Sequence, residues 1–108
     1  MLDRDASKML SEVGIGEGQS VLDFGCGSGT YSISAAKLVG RNGRIYSLDV
    51  SQGALEKLSR KAEKEGLDNI VTLLSSGSVE IPIDNETLNH VLLIDVLQEI
   101  SGELPPYK

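Results

Sequence analysis

The stretch from Ser20 to Ser32, SVLDFGCGSGTYS, constrains this chain more than any other. A short apolar run ends directly in three glycines at alternate positions, Gly25, Gly27 and Gly29. Apolar residues then resume at helical spacing through Ile33 and Ala36. A short apolar run bounded by a turn reads as a buried strand. Glycines at its end let the backbone turn sharply into a helix and approach a ligand closely. A strand followed by a helix predicts a parallel sheet, because parallel neighbours need a crossover connection.

The rest of the chain repeats that alternation. Leu2, Ala6, Met9, Leu10 and Val13 recur at helical spacing, and Gly14 offers a C-cap. The helix from Thr30 to Val39 ends at Gly40, and Asn42-Gly43 marks a turn. RIYSLDV reads as a second strand, and Ser51 as the N-cap of a helix running to Glu65. That helix gathers Leu55, Leu58 and Ala62 on one face, and Gly66 stops it. NIVTLL and LNHVLLI read as third and fourth strands, the latter leading into a short segment from Val96 to Ile100. The expected class is α/β, a Rossmann-like parallel sheet with helices on both faces and right-handed crossovers. Ligands in such sheets bind at the carboxyl ends of the strands, beside the first strand. Gly25 to Gly29, Asp49 and Ser76 all fall at those ends.

Composition narrows the partners. The 108 residues allow one domain, 1–108, and the 40% hydrophobic and 24% charged content is that of a globular chain. A formal net charge of −6 argues against direct nucleic acid binding through phosphate contacts. No apolar run approaches the roughly 20 residues of a membrane span. The N-terminal MLDRDASKML lacks the apolar segment of a signal peptide, and the single cysteine, Cys26, fits a cytoplasmic location.

The glycine turn selects among ligands by its spacing. A dinucleotide fingerprint places its third glycine three positions after the second; here Gly29 comes two positions after, and Thr30 stands in the expected place. No Gly-Lys-Ser/Thr of a phosphate loop occurs. Asp23, just before the turn, would repel a diphosphate. A zwitterionic amino acid suits both features: its ammonium can meet Asp23 or loop carbonyls, and its carboxylate the amides of the helix start at Thr30 and Tyr31. Asp49, 20 residues after Gly29 at the end of the second strand, can accept hydrogen bonds from both hydroxyls of a ribose. The implied ligand has an amino acid end and a ribose end.

With those residues in place, VLDFGCGSGTYS resembles motif I of the class I S-adenosylmethionine-dependent methyltransferases, acid-x-Gly-x-Gly-x-Gly. IYSLDVS is similar to that family's second motif, and VEIPIDNETLNHVLLIDVLQEI resembles its stretch through the fourth strand. The resemblance implies that Asp23, Gly25, Cys26, Gly27, Gly29, Thr30 and Tyr31 cradle the methionine part of S-adenosylmethionine. It gives Asp49 the ribose, Val50 and Ser51 the adenine, and adds Ser76, Gly77, Ser78 and Ile94 to the same site. It departs from the pattern at Gly77, where many relatives carry an acid, at Asn89 in place of aspartate, and at Gln98-Glu99 in place of a histidine pair. The family sheet has seven strands. A strand order of 3-2-1-4 without the last three strands is therefore implied, with a cofactor-binding part whose acceptor and catalytic residues stay unassigned.

The alternatives are a non-catalytic S-adenosylmethionine-binding or assembly module and an NAD-dependent dehydrogenase domain. Cys26 reads as a small loop residue, and the sole histidine, His90, as a packed or edge residue; no metal site is expected. An apolar fourth strand at the edge of a sheet favours self-association through Leu88–Ile100.

Overall fold

A computed structural model describes residues 2–75 and 88–92, with side chains from residue 6 onward. The elements run α1 (Leu2–Glu12), β1 (Ser20–Phe24), α2 (Thr30–Val39), β2 (Arg44–Asp49), α3 (Gln52–Lys64), β3 (Ile70–Leu74) and β4 (His90–Leu92). The sheet has the order β3-β2-β1-β4, and every pairing is parallel. This is the expected 3-2-1-4 order, with β1 and β4 meeting where the direction of travel reverses. Ser76 to Ser78, Ile94, the segment from Val96 to Ile100 and most of the Leu88–Ile100 edge lie outside the described residues.

The helices end where the sequence places glycine. At the end of α1, Gly14 has φ 104°, its N–H bonds Ser11 O at 3.1 Å, and the Ile15 N–H bonds Leu10 O at 3.1 Å. The end of α3 repeats this: Gly66 has φ 71°, its N–H bonds Glu63 O at 3.1 Å, and the Leu67 N–H bonds Ala62 O at 2.9 Å. Both are Schellman motifs, which pair otherwise orphaned carbonyls and bring an apolar residue back onto the last turn. The reversal at Gly14 carries Ile15, 3% exposed, into the core beside Leu10. Met9 and Val13, which the periodicity assigns to the apolar face, are exposed instead.

The three helices share one face of the sheet. Residues Val21 of β1, Ile45 of β2 and Leu92 of β4 cluster with Leu10, Ala35, Ala36 and Val39 of α1 and α2. Ile70, which pairs with Ile45, packs against that cluster and against Leu55, Leu58 and Ala62 of α3. Two successive right-handed crossovers travelling the same way, β1 to β2 to β3, put both helices on the same side. Helices for the second face of the expected architecture would fall among residues outside those described. Full burial of side chains such as Leu22, Leu48 and Leu58 contributes about 1.5–3 kcal/mol each.

Two asparagines fix the end of the sheet away from the strand carboxyl termini. Asn89 Oδ1 accepts from the Ser20 N–H at 2.8 Å, and the Asn89 N–H donates to Ser20 O at 2.7 Å. This pair of hydrogen bonds lies just ahead of the register in which β4 joins β1, Val21 beside His90. The buried Asn69 donates through Nδ2 to Ala36 O and Gly40 O, each at 2.9 Å, and so closes the C-terminus of α2. Asn69→Ala should cost about 1–2 kcal/mol, the worth of such bonds. Asn69→Asp should cost more, because a carboxylate would face two carbonyls at the negative end of a helix. Urea unfolding of the three proteins checks the ranking; a more stable Asp variant would contradict it.

Candidate cofactor site

The turn after β1 is built from backbone conformations that only glycine enters at low cost. Gly25, Gly27 and Gly29 have φ of 73°, 54° and 89°, and no other residue type among the described residues has positive φ. The Leu48 carbonyl of β2 accepts both the Gly25 N–H at 2.7 Å and the Cys26 N–H at 3.1 Å, so the turn is laid across the end of the neighbouring strand. At Gly29 space decides as well: a Cβ there would lie 2.7 Å from Leu58 Cδ1. Helix α3 thus packs directly under the turn, and Lys61 Nζ donates to Ser28 O at 3.0 Å from the same helix.

The two helix starts differ. Ser51, in extended conformation, caps α3 by accepting the Ala54 N–H at 3.1 Å. Gly29 caps α2 in left-handed conformation and makes no side-chain cap bond. A helix start without a side-chain cap presents its first amides, and the positive end of its dipole, to an outside acceptor. That start sits at the carboxyl end of β1, where the sheet reverses direction.

Asp49 joins the two loops. Its Oδ2 accepts the Gly27 N–H at 2.9 Å, its Oδ1 accepts the Ser51 N–H at 2.9 Å, and its own carbonyl accepts the Ser75 N–H at 2.8 Å. An ionised carboxylate has about four acceptor positions, so two amides still leave room for two hydroxyl donors. The side chain is partly buried and already fixed in direction.

Other residues singled out by sequence take different places. Asp23 is only 3% exposed and lies beneath the turn, accepting from Ser32 Oγ at 2.7 Å. Cys26 is buried, with its side chain among Ile33, Leu55, Leu58 and Ala62, so its part in a ligand cradle is that of its backbone. Tyr31 is partly buried against the α1–α2 core. Thr30 shares a hydroxyl bond of 3.2 Å with Ser28 at the rim. Val50 is 64% exposed, an apolar side chain open at the carboxyl end of β2. Periodicity and motif spacing left Ser32, Ser47, Leu58 and Lys61 without a role at the turn; their spacing there is set by packing across elements, which a linear pattern does not carry. A recess of about 470 Å³ lies between α3 and β3, lined in part by Leu55, Glu56 and Thr72; no turn residue lines it.

With this geometry in view, comparison with known proteins decides the family. The methyltransferase domain model matches residues 15–101. The chain belongs to the class I S-adenosylmethionine-dependent methyltransferases. It is 36% identical, with a TM-score of 0.73, to a SAM dependent methyltransferase from Aquifex aeolicus, over 81% of this chain and 46% of that one. It is 36% identical over 85 residues to a protein of Saccharolobus solfataricus named probable cobalt-precorrin-6B C(15)-methyltransferase (decarboxylating), covering 78% of this chain and 43% of the relative. It is 31% identical over 86 residues to the demethylmenaquinone methyltransferase of Bacillus subtilis, covering 80% and 36%. The chain spans less than half the length of each of those relatives.

The double acceptance at Asp49 predicts an asymmetric response to mutation. Asp49→Asn leaves one oxygen, and its NH₂ must face either the Gly27 or the Ser51 N–H. One of the two amides should then exchange with solvent at least about tenfold faster, the equivalent of 1.4 kcal/mol, in the protein without ligand. Amide hydrogen exchange read by NMR checks this; unchanged protection at both amides would show that Asp49 does not hold the turn.

Proposed function

We propose that this chain is the cofactor-binding part of a methyltransferase, holding S-adenosylmethionine across the carboxyl ends of β1 and β2. The observation that carries the reading is the pairing of an uncapped α2 start with the pre-oriented Asp49 carboxylate on adjacent strands. The two features suit opposite ends of one ligand. The α2 amides suit the methionine carboxylate, Asp49 suits the ribose hydroxyls, and Val50 offers apolar surface to the adenine. Ser76, Gly77, Ser78 and Ile94 are assigned to the adenine side by family pattern. Membership of the family and the names of the relatives support the cofactor.

S-adenosylmethionine supplies an electrophilic methyl group on a sulfonium centre. The chain's own residues bind and orient. The glycine turn excludes side-chain atoms from the ligand's path, the helix dipole counters the ligand's carboxylate, and Asp49 fixes rotation about the ribose. Such transfer depends chiefly on alignment of donor and acceptor. The relatives named for a cobalt-precorrin and for demethylmenaquinone differ in acceptor and share methyl transfer. The proposal for this chain therefore stops at methyl transfer, without an acceptor or a catalytic residue.

No helix among the described residues is long and apolar enough to cross a membrane. We place the protein in the cytoplasm, on the strength of its single, buried cysteine. The dehydrogenase alternative is disfavoured by the turn itself. Gly29 is the helix cap against Leu58, and a dinucleotide fingerprint would move that contact one residue on.

Isothermal calorimetry tests the reading directly. S-adenosylhomocysteine should bind and NAD should not; NAD binding alone would favour the dehydrogenase. Asp49→Ala should weaken S-adenosylhomocysteine binding by about 1–3 kcal/mol, the usual range for unpaired buried polar groups. Gly27→Val should abolish binding with the circular dichroism spectrum retained, because a β-branched residue resists positive φ and its side chain obstructs the turn. Equal binding by a folded Gly27→Val protein would remove the turn from the site.

A further inference from the structure

Three buried polar side chains meet under the glycine turn, one from each of three elements. Asp23 of β1 is 3% exposed, and Ser32 of α2 and Ser47 of β2 are both fully buried. The Ser32 hydroxyl donates to Asp23 Oδ2 at 2.7 Å, and Ser32 Oγ lies 2.6 Å from Ser47 Oγ. A hydroxyl has one proton to donate. The Ser32 proton is engaged by Asp23, so the short contact to Ser47 requires the Ser47 hydroxyl to be the donor. The chain is therefore directional, from Ser47 through Ser32 to the Asp23 carboxylate. The register agrees: Asp23 and Ser47 are partners across the β1–β2 pairing, and Ser32 lies over them from the first turn of α2.

We propose that Ser32 and Ser47 are positioning residues for cofactor binding, a one-way hydroxyl chain that fixes the Asp23 carboxylate beneath the glycine turn. Hydrogen bonds to an ionised acceptor are stronger than neutral ones, and aligned hydroxyls polarise one another. Burying a carboxylate otherwise disfavours its charged form. The chain counters that and keeps a negative charge at the base of the turn, suited to the ammonium of the amino acid end of S-adenosylmethionine in the site of the proposed function, on which this inference rests. The same bonds anchor the first turn of α2 to both central strands, so the amides offered to the ligand's carboxylate keep their direction.

The surrounding elements carry Lys37 at the far end of α2, Arg44 and Tyr46 on β2, and Lys61 of α3, whose Nζ reaches the turn at the Ser28 carbonyl. Cys26 lies in the turn, Tyr31 beside Ser32 in α2, and Asp49 two positions beyond Ser47 on β2. On β4 the residue paired with Asp23 is the apolar Leu92, and His90 is paired with Val21. The strand partners of Asp23 are Ser47 and Leu92, neither of them a cation, and the hydroxyl chain can be altered by substitution at Ser32 and Ser47 alone.

The test uses the full chain and two readouts. The first is the carbon-13 carboxyl titration of Asp23 without ligand, assigned with Asp23→Asn; the second is the Kd of S-adenosylhomocysteine against pH. Removing a donor to the charged form raises the titration midpoint, so Ser32→Ala should move it to higher pH and Ser32→Thr should restore it. The acid limb of the Kd profile should move up in pH with it, weakening binding about tenfold between the two midpoints. Ser47→Ala should have a smaller effect alone and none in the Ser32→Ala background, as a chain requires. An unmoved Asp23 midpoint in Ser32→Ala, or independent, additive effects of the two serines, would overturn the proposal. If Ser32→Ala does not fold, Ser47→Ala carries the test, and an unmoved midpoint there overturns it. Failure of the wild-type chain to bind S-adenosylhomocysteine would remove the proposed function, whereas the ligand-free titration would still decide the hydroxyl chain.

Discussion

The carboxylate of Asp49 holds the carboxyl-terminal edge of β1 and β2 together. It accepts one amide from the turn after β1 and one from the entry to α3, so a single side chain couples two loops that belong to different strands. Parallel β1 and β2 bring their carboxyl ends to the same edge, but parallel pairing alone does not fix loop conformation. That comes from the bonds across the edge: the Leu48 carbonyl under Gly25 and Cys26, Asp49 under Gly27, and Lys61 on the Ser28 carbonyl. The shape of the turn is consequently set by bonds within the chain itself.

Packing under the turn works in the same sense. Leu58 is fully buried against Gly29, where a Cβ would approach its Cδ1 to 2.7 Å. Cys26 points down into the same α3 cluster. The carboxyl-terminal edge of the sheet therefore rests on α3 as much as on the strands that end there. The opposite edge rests on different bonds: Asn89 at Ser20, Asn69 at the end of α2, and an exposed ion pair of 2.7 Å between Lys37 and Glu65. An exposed pair of that kind contributes little, typically 0–1 kcal/mol. Asn69 and Asn89 matter more because each ties backbone groups of distant segments together, Asn69 the Ala36 and Gly40 carbonyls and Asn89 the Ser20 amide.

Two carboxylates at the ends of β1 and β2 thus have different duties although both follow apolar runs in sequence. Asp49 is partly exposed at the rim, with room for hydroxyl donors. Asp23 is enclosed beneath the turn and bonded to α2. Strand alternation explains the difference only in part, since Asp23 and Asp49 are on the same side of paired strands. The remaining difference is the presence of Ser32, which α2 carries directly over Asp23.

Much of this was legible in the amino-acid order. Local causes act within a few residues: glycine at positive φ ends α1 and α3, Ser51 caps α3, and short apolar runs alternate with amphipathic helices. The order 3-2-1-4 and the convergence of Gly25–Gly29 with Asp49 follow from such units together with crossover handedness and the family pattern. The tertiary structure alone decided what the side chains of those residues do. Asp23 lies under the turn because a serine nine positions later returns above it; Cys26 and Gly29 are held by Leu58, about thirty residues on. Met9 and Val13 have helical spacing but stay exposed, and Ile15 takes the core position through the reversal at Gly14. Periodicity records which way a residue points on its own element. What it meets there depends on elements distant in sequence, and only their packing supplies that partner.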